Sequence, residues 1–153
     1  MTALRAPLAV AAAAAALAVG AGCGGGGNDA YDQQVTKAAQ QFRTDAQAAS
    51  AGFASSGSAT ELRTAAARYR TATTQFEQRL RGLHPPKSVG DEQQQLITDL
   101  HRLSSTLDQV GAKVANADAS SVKPLVTLAT QLEGDVNRVS ADGDRLQKAV
   151  NNS

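Results

Sequence analysis

VGDEQQQLITDLHRLSSTLDQVGAKV, residues 89–114, is the stretch that decides the fold. Apolar residues recur in it at alternating steps of three and four, the spacing that lines one side of an α-helix. One polar residue, Gln93, interrupts this stripe. The stripe consists of Val89, Gln93, Leu96, Leu100, Leu103, Leu107, Val110 and Val114. We therefore predict a long amphipathic helix with Leu103 and Leu107 buried at its centre.

Three other parts of the chain show the same spacing. The first stripe is rich in alanine, the second has a polar break at Thr73, and the fourth is broken only at Gly143. The first consists of Val35, Ala38 or Ala39, Phe42, Ala46, Ala49 and Phe53. The second consists of Leu62, Ala66, Tyr69, Thr73, Phe76, Leu80 and Leu83. The fourth consists of Leu125, Ala129, Leu132, Val136, Val139, Gly143, Leu146 and Val150.

Turn-forming segments separate the four predicted helices. SSGSAT, residues 55–60, ends the first helix, and Ser58 or Thr60 is expected to cap the second by accepting backbone N–H bonds. A Pro-Pro pair ends the second helix, and Ser88 with Asp91 has the spacing of a capping box for the third. NADASSVKP separates the third helix from the fourth.

These four helices define the expected architecture. Short connections make sequence neighbours antiparallel, so the sequence predicts an all-α fold, an up-down-up-down four-helix bundle over residues 30–153. Helices of about 24 to 30 residues are ~36 to 45 Å long. The alternative is a three-helix bundle with a loosely packed first helix, because the alanine-rich first stripe buries the least apolar area per turn.

The N-terminal segment has the features of a secretory signal. Arg5 lies beside the amino terminus and is followed by an uninterrupted apolar run, residues 8–19. This run is too short to span a bilayer, which takes ~20 apolar residues in a helix. We therefore expect residues 1–22 to direct export and to be removed.

Cys23 is the one cysteine of the chain, and Gly20, Ala21 and Gly22 precede it. A lone cysteine in an exported protein has no partner for an internal disulfide. The arrangement resembles the signal of bacterial lipoproteins, in which small residues precede a cysteine that receives diacylglycerol and becomes the first mature residue. The resemblance implies acyl chains on Cys23 and a position on the outer face of the cytoplasmic membrane. The sequence departs from the family pattern at Gly20, because the usual aliphatic residue lies one position earlier, at Val19.

The alternative is ordinary signal-peptidase cleavage after Ala21, which leaves a free thiol near the new terminus. Under either alternative the four glycines at 24–27 are expected to form a flexible tether. From Cys23 to Asp29 such a tether reaches no more than ~25 Å. The tethered, alanine-rich helical domain is also similar to small envelope lipoproteins of high-GC bacteria, most of which lack an assigned activity.

The charge pattern bears on the partners of the protein. The formal net charge is +1 at pH 7, which argues against nucleic-acid binding because that requires a basic face. The second predicted helix carries five arginines against two glutamates, and the third carries four acids against two bases. We interpret these opposite charges as complementary neighbours in the bundle, with an anion-binding arginine face as the alternative.

The folded region lacks the residue patterns of a catalytic or metal-binding site. Its two histidines, His84 in a loop and His101 beside the third stripe, are interpreted as solvent-exposed. A di-iron bundle needs Glu-x-x-His, which does not occur, and one cysteine cannot form the C-x-x-C-H motif of covalent haem. We predict no metal, no cofactor and no enzymatic activity.

The leading functional hypothesis is therefore a non-enzymatic interaction or scaffold module, held to the membrane by lipid on Cys23 and binding an envelope protein. The alternative is a carrier or sensor of a small apolar ligand that uses the bundle interior opposite Gly143. In the predicted topology the turn at Lys87 and the carboxyl terminus lie near the membrane. Partner contacts are then expected at the outer tip or on the arginine face of the second helix.

Overall fold

The computed structural model describes residues 29–56, 58–116 and 122–152. Within these ranges the chain forms four α-helices and no strand. They are α1 (Asp29–Ser55), α2 (Ala59–Arg81), α3 (Gly90–Ala115) and α4 (Val122–Asn151). The helices pack against one another as an all-α four-helix bundle, which confirms the predicted fold class.

Contacts between side chains establish the up-down-up-down order. The hydroxyl of Tyr31, at the start of α1, donates a hydrogen bond to Oε1 of Gln93, at the start of α3 (2.6 Å). Nε2 of the same glutamine donates to the carbonyl oxygen of Leu80, at the end of α2 (2.9 Å). Further along the chain, the hydroxyl of Thr106 in α3 donates to Oδ2 of Asp135 in α4 (2.6 Å). Asp99 faces Asp142 seven residues earlier on α3 and seven later on α4, so the two helices are antiparallel. We call the end of the bundle that holds Tyr31 the near end and the opposite end the far end.

Most of the interior comes from the predicted stripes, and buried residues outside the stripes, such as Tyr31, Ala72 and Ile97, complete it. Leu103 and Leu107 are almost completely buried, as predicted, and the rings of Phe42 and Phe76 stack with their centroids 4.8 Å apart. The largest side chains with almost no exposure are those of Phe76, Leu80, Leu96, Leu100, Leu103, Leu107, Leu146, Val89 and Thr73. The side chain of Leu125, a residue of the fourth stripe, is not among those that the structure describes. Burial of the apolar stripe residues that face the interior holds the helices together.

The first helix is an integral part of the bundle. It packs along α2 as closely as α2 packs along α3, and Tyr31, Val35 and Phe42 are buried. The three-helix alternative with a loose α1 is therefore not what the fold adopts. The backbones of α1 and α4 approach each other much less closely than those of helices adjacent in sequence.

The two ends of the α1–α2 interface differ in side-chain size. Near the far end the buried positions include Ala49, Ala65 and Ala66, and α1 approaches α2 closely at Gly52. A Cβ at Gly52 would lie 3.3 Å from the Cβ of Ala65, tighter than most real contacts. Glycine therefore allows the close approach at this point.

One of the two predicted helix caps is present. Ser58 is the N-cap of α2, and its side chain accepts a hydrogen bond from the backbone N–H of Glu61 (3.3 Å). The predicted capping box of Ser88 and Asp91 is wrong, because α3 begins at Gly90 with Val89 as its N-cap and without a side-chain cap bond. Val89 is completely buried, so packing of its side chain fixes this helix start.

Candidate interaction surface on α2

Two clefts flank the far half of α2, one between α1 and α2 and the other between α2 and α3. Their volumes are about 640 and 520 Å³, so each has room for several side chains of a partner. The α1–α2 cleft is lined by Asp45, Ala48, Ala49, Thr64, Ala67, Arg68, Thr71, Ala72 and Gln75. The α2–α3 cleft is lined by Thr60, Arg63, Thr64, Ala66, Ala67, Arg70, Leu107, Asp108, Gly111, Ala112 and Ala115.

An exposed row of small residues on α2 separates the two clefts. It consists of Thr60, Thr64, Ala67 and Thr71, whose spacing places them on one face of the helix. The hydroxyls of Thr64 and Thr71 donate to carbonyl oxygens of their own helix, each at 2.9 Å, so they are already satisfied. Small side chains leave the surface of α2 open to close approach by another helix. We call these four residues the small-residue row.

Arginines lie on both sides of the small-residue row. Arg63 and Arg68 are exposed, and neither forms an ion pair with another residue in the part of the chain that the structure describes. Arg70 is half-exposed and pairs with Asp108 of α3 through Nε and Oδ1 (2.7 Å). On the α1 side, Asp45 accepts hydrogen bonds from Gln41. The arginines without a partner therefore lie at the edges of the row, where they are available to an acidic ligand.

The predicted charge complementarity between α2 and α3 is confirmed at one ion pair, Arg70 with Asp108. The other strong ion pairs are formed within single helices, as in Glu77 with Arg81 (2.8 Å) and Asp99 with Arg102 (2.7 Å). Acids and arginines three or four residues apart lie on one face of a helix and pair there. The surplus of arginine on α2 is therefore only partly neutralised by α3.

The two histidines are exposed to solvent, as predicted. The side chain of His101 is 75% exposed, and its Nδ1 lies 3.7 Å from Oε1 of Glu77. Among residues 29–56, 58–116 and 122–152, no three His, Cys, Asp or Glu side chains are grouped so that they could hold a metal ion.

Sequence reasoning missed a set of buried acids. Glu77, Asp99, Asp135 and Asp142 are all less than a tenth exposed. Each one pairs with an arginine on the next turn of its own helix, and three share the pattern Asp-x-x-Arg: DLHR, DVNR and DGDR. That repeated pattern was the available signal, because a buried carboxylate needs a cation whose long side chain reaches it from the rim.

Asp99 of α3 and Asp142 of α4 face each other across the interface, close enough for a hydrogen bond when one of the two carboxyls carries a proton. Burial opposes ionisation of Asp99, but hydrogen bonds to Asp142 and Gln95 and the charges of Arg102 and Arg138 outweigh it and lower its pKa. Burial, the hydrogen bond to Asp99 and the charge of Asp99 together raise the pKa of Asp142, against the opposing effect of Arg145.

The predicted lipid-attachment residue, Cys23, lies outside the described residues, as do the signal segment and the glycine tether. Within the described part of the chain, no helix combines the length and the apolar character needed to cross a bilayer. Gly143, the residue of the ligand-carrier alternative, is buried, and neither cleft beside α2 includes it.

No protein-family model matches the sequence, and searches of curated proteins and of solved structures found no significant match.

Proposed function

We propose that the protein is a lipoprotein of the outer face of the cytoplasmic membrane, held there by acyl chains on Cys23. Its bundle acts as a non-enzymatic interaction module. The ligand that we propose is an acidic helix of another envelope protein, which packs on the small-residue row. The observation that carries this proposal is the position of that row between two arginines without acidic partners, Arg63 and Arg68.

The shape of the row favours a helix as the ligand. Thr60, Thr64, Ala67 and Thr71 repeat at steps of four and three, the spacing at which one helix meets another. The two clefts give room on either side for the larger side chains of the incoming helix. A helix that places its own small residues over Ala67 can therefore approach α2 closely.

The charges favour an acidic ligand. Arg63 lies on the α3 side of the row and Arg68 on the α1 side, so the two guanidinium groups bracket an incoming helix. Guanidinium groups bind carboxylates through paired hydrogen bonds. Acidic residues on the two flanks of the partner helix would fix its register and speed its association.

The position of the row agrees with an anchor at Cys23. Helix α1 begins at Asp29, so the near end of the bundle stays within ~25 Å of the anchored residue. Ala67 is fourteen residues from the near end of α2, which is ~21 Å along the helix axis. The row therefore faces the space beyond the membrane surface, where a partner has room.

Photocrosslinking tests the proposed surface. A photoreactive amino acid replaces Ala67 in the full chain in native membranes, and the matched control replaces Ala141, an exposed alanine on α4. We expect a protein adduct at position 67 whose crosslinked peptide is an acidic helical segment. Arg63→Glu with Arg68→Glu should abolish it. An adduct that survives this double charge reversal, or that forms equally at position 141, would contradict the proposal.

Fractionation and intact mass test the anchor separately. We expect Cys23→Ser to release the protein from membranes, and the wild-type mature chain to carry acyl chains on Cys23. A mature chain that begins at Gly22 with a free thiol and no acyl group would exclude lipidation while leaving the surface on α2 untouched.

A further inference from the structure

The α3–α4 interface contains polar pairs at a regular spacing. Thr106 and Asp135 are joined by a hydrogen bond of 2.6 Å. Seven residues, about two turns, toward the near end on each helix lie Asp99 and Asp142. Two antiparallel helices held in register at the first pair therefore bring the second pair together as well. Asp99 and Asp142 are each 3% exposed.

The hydrogen bonds to this carboxyl pair leave one oxygen without a donor. Asp99 accepts from Arg102 at Oδ1 (2.7 Å) and from Gln95 at Oδ2 (3.2 Å). Asp142 accepts from Arg145 at Oδ1 (2.7 Å), whereas its Oδ2 is buried and has no protein donor. Two carboxyl groups can form a hydrogen bond to each other only if a proton lies between them. The orphan oxygen of Asp142 is the position for that proton.

The surrounding charges agree with this assignment. Arg102 of α3 and Arg138 of α4 act on Asp99 and favour its ionised form, while Arg145 acts on Asp142. The shared hydrogen bond lowers the pKa of Asp99 and raises that of Asp142, as expected if Asp142 donates.

The arginines that act on Asp99 and Asp142 belong to α3 and α4, namely Arg102, Arg138 and Arg145. Glu77 of α2 meets α3 at His101, two residues after Asp99 and so on the opposite side of the helix. Arg43 of α1 has two buried nitrogen atoms, Nε and Nη2, that form no hydrogen bond to another described residue.

Helix α4 depends on α3 for its place in the bundle. Among the described helices, α4 packs closely against α3 and much less closely against α1. If the contact between α3 and α4 weakens, packing of α4 against α1 is therefore too sparse to hold α4 in place.

We propose that Asp99 and Asp142 form a proton-dependent latch between α3 and α4. In the closed latch one proton, carried by Asp142, is shared with ionised Asp99. Removal of that proton leaves two buried carboxylates facing each other, and the half of α4 beyond Asp135 loosens from α3. This inference goes beyond the proposed interaction module and does not depend on the anchor.

The sign of the pH dependence follows from the two carboxyls. Asp142 has a raised pKa in the folded chain, so its stabilising contribution is complete below its ordinary pKa and is lost as the pH rises through the folded value. Asp99 has a lowered pKa, so its contribution is lost when the pH falls through the folded value. The latch is therefore closed between the two folded pKa values and opens on the alkaline side.

Carboxyl carbon NMR on the full chain in detergent micelles measures the shared proton directly. We expect the Cγ resonance of Asp142 to titrate above the usual range of aspartate and that of Asp99 to titrate below it. Two resonances that titrate together near ~3.9, the ordinary value, would overturn the proposal. This measurement needs no variant, so it stands even if a substitution prevents folding.

Amide hydrogen exchange measures the latch itself. After correction for the intrinsic pH dependence, opening of the half of α4 beyond Asp135 should rise by about tenfold for each unit by which the folded pKa of Asp142 exceeds its ordinary value. Asp142→Asn should abolish this rise, because its amide donates to Asp99 at every pH. Asp135→Asn is the matched control, a buried carboxylate of the same helix that accepts from Thr106 and Arg138, and it should keep the rise. Equal pH profiles for both variants would contradict the latch.

Discussion

The near and far ends of the bundle are built from different residues. At the near end, large side chains such as those of Leu80, Val89 and Leu96 are buried almost completely, and Tyr31 hydrogen-bonds to Gln93 there. At the far end the buried positions include alanines, and the clefts beside α2 open to solvent. The difference is confined to α1 and α2, whose near ends bury large side chains and whose far ends combine buried alanines with accessible surface.

Truncation of a leucine at each end gives the largest expected effects. Leu96→Ala, toward the near end of α3, should cost ~4 kcal/mol in the free energy of unfolding, because it removes an almost completely buried side chain and leaves a cavity. Leu128→Ala, in the far half of α4, should cost less, ~3 kcal/mol, because Leu128 lies outside the continuous core cluster. Urea unfolding measures both. Equal costs would mean that the far end is as tightly packed as the near end.

A polar substitution probes how α4 is held toward the far end. Thr106→Val removes the donor to Oδ2 of buried Asp135 and should cost ~1 to 3 kcal/mol, because the carboxylate then loses a hydrogen bond that water does not replace. The matched control is Thr98→Val, an exposed threonine of α3 that donates only to its own helix. If both variants unfold at the same urea concentration, the bond to Asp135 contributes nothing.

Alkaline titration probes the closure of the near end. Burial raises the pKa of Tyr31 to about 12, compared with the usual 10.0. A phenol with a raised folded pKa contributes stability that is complete below pH ~10 and is lost as the pH rises toward ~12. Ultraviolet absorbance should show Tyr31 ionising late, and Tyr31→Phe should remove that transition. Burial also raises the pKa of Tyr69, so the variant should retain one late transition. A wild-type tyrosine that ionises near pH ~10 and disappears in Tyr31→Phe would contradict the assignment.

The smallest expected effects concern the two serines before helices. Ser58→Ala at the far end should lower the unfolding free energy by ~1 kcal/mol, because it removes the cap of α2. Ser88→Ala at the near end should change it by less than ~0.5 kcal/mol, since α3 has no side-chain cap bond. Thermal unfolding of the two variants side by side measures the difference. A larger loss of unfolding free energy for Ser88→Ala than for Ser58→Ala would indicate that Ser88 caps α3 after all, and would contradict the described helix start.

The helices and most of the core could be predicted from the sequence. The three-and-four spacing identifies the buried face of α3 from Val89 to Val114, and the same rule places Phe42 and Phe76 inside. The start of α3 could not be predicted, because Ser88 and Asp91 match a capping pattern while burial of Val89 decides the actual boundary. A local sequence pattern does not show whether a capping hydrogen bond at the surface or burial of a neighbouring side chain determines where a helix begins.

The buried carboxyls and the clefts could not be predicted from the stripes alone. Asp99 and Asp142 each precede a stripe residue by one position, and acids there are normally exposed. Their burial depends on arginines three residues later and on the register of α3 against α4, which is a tertiary property. The arginine face of the second helix was predicted, but the small-residue row between its arginines was not recognised.

Accessibility labelling on intact cells tests most directly the claim that the near end is anchored and the far end is presented. Cysteines replace Ser56 at the far end and Lys87 at the near end, one at a time, in the otherwise wild-type chain with its lipidated Cys23. Because the tether reaches no more than ~25 Å, the membrane should hinder a bulky thiol reagent at position 87. We predict that the cysteine at position 56 reacts several times faster. Equal rates, or a faster reaction at position 87, would contradict this orientation and with it the proposed presentation of α2.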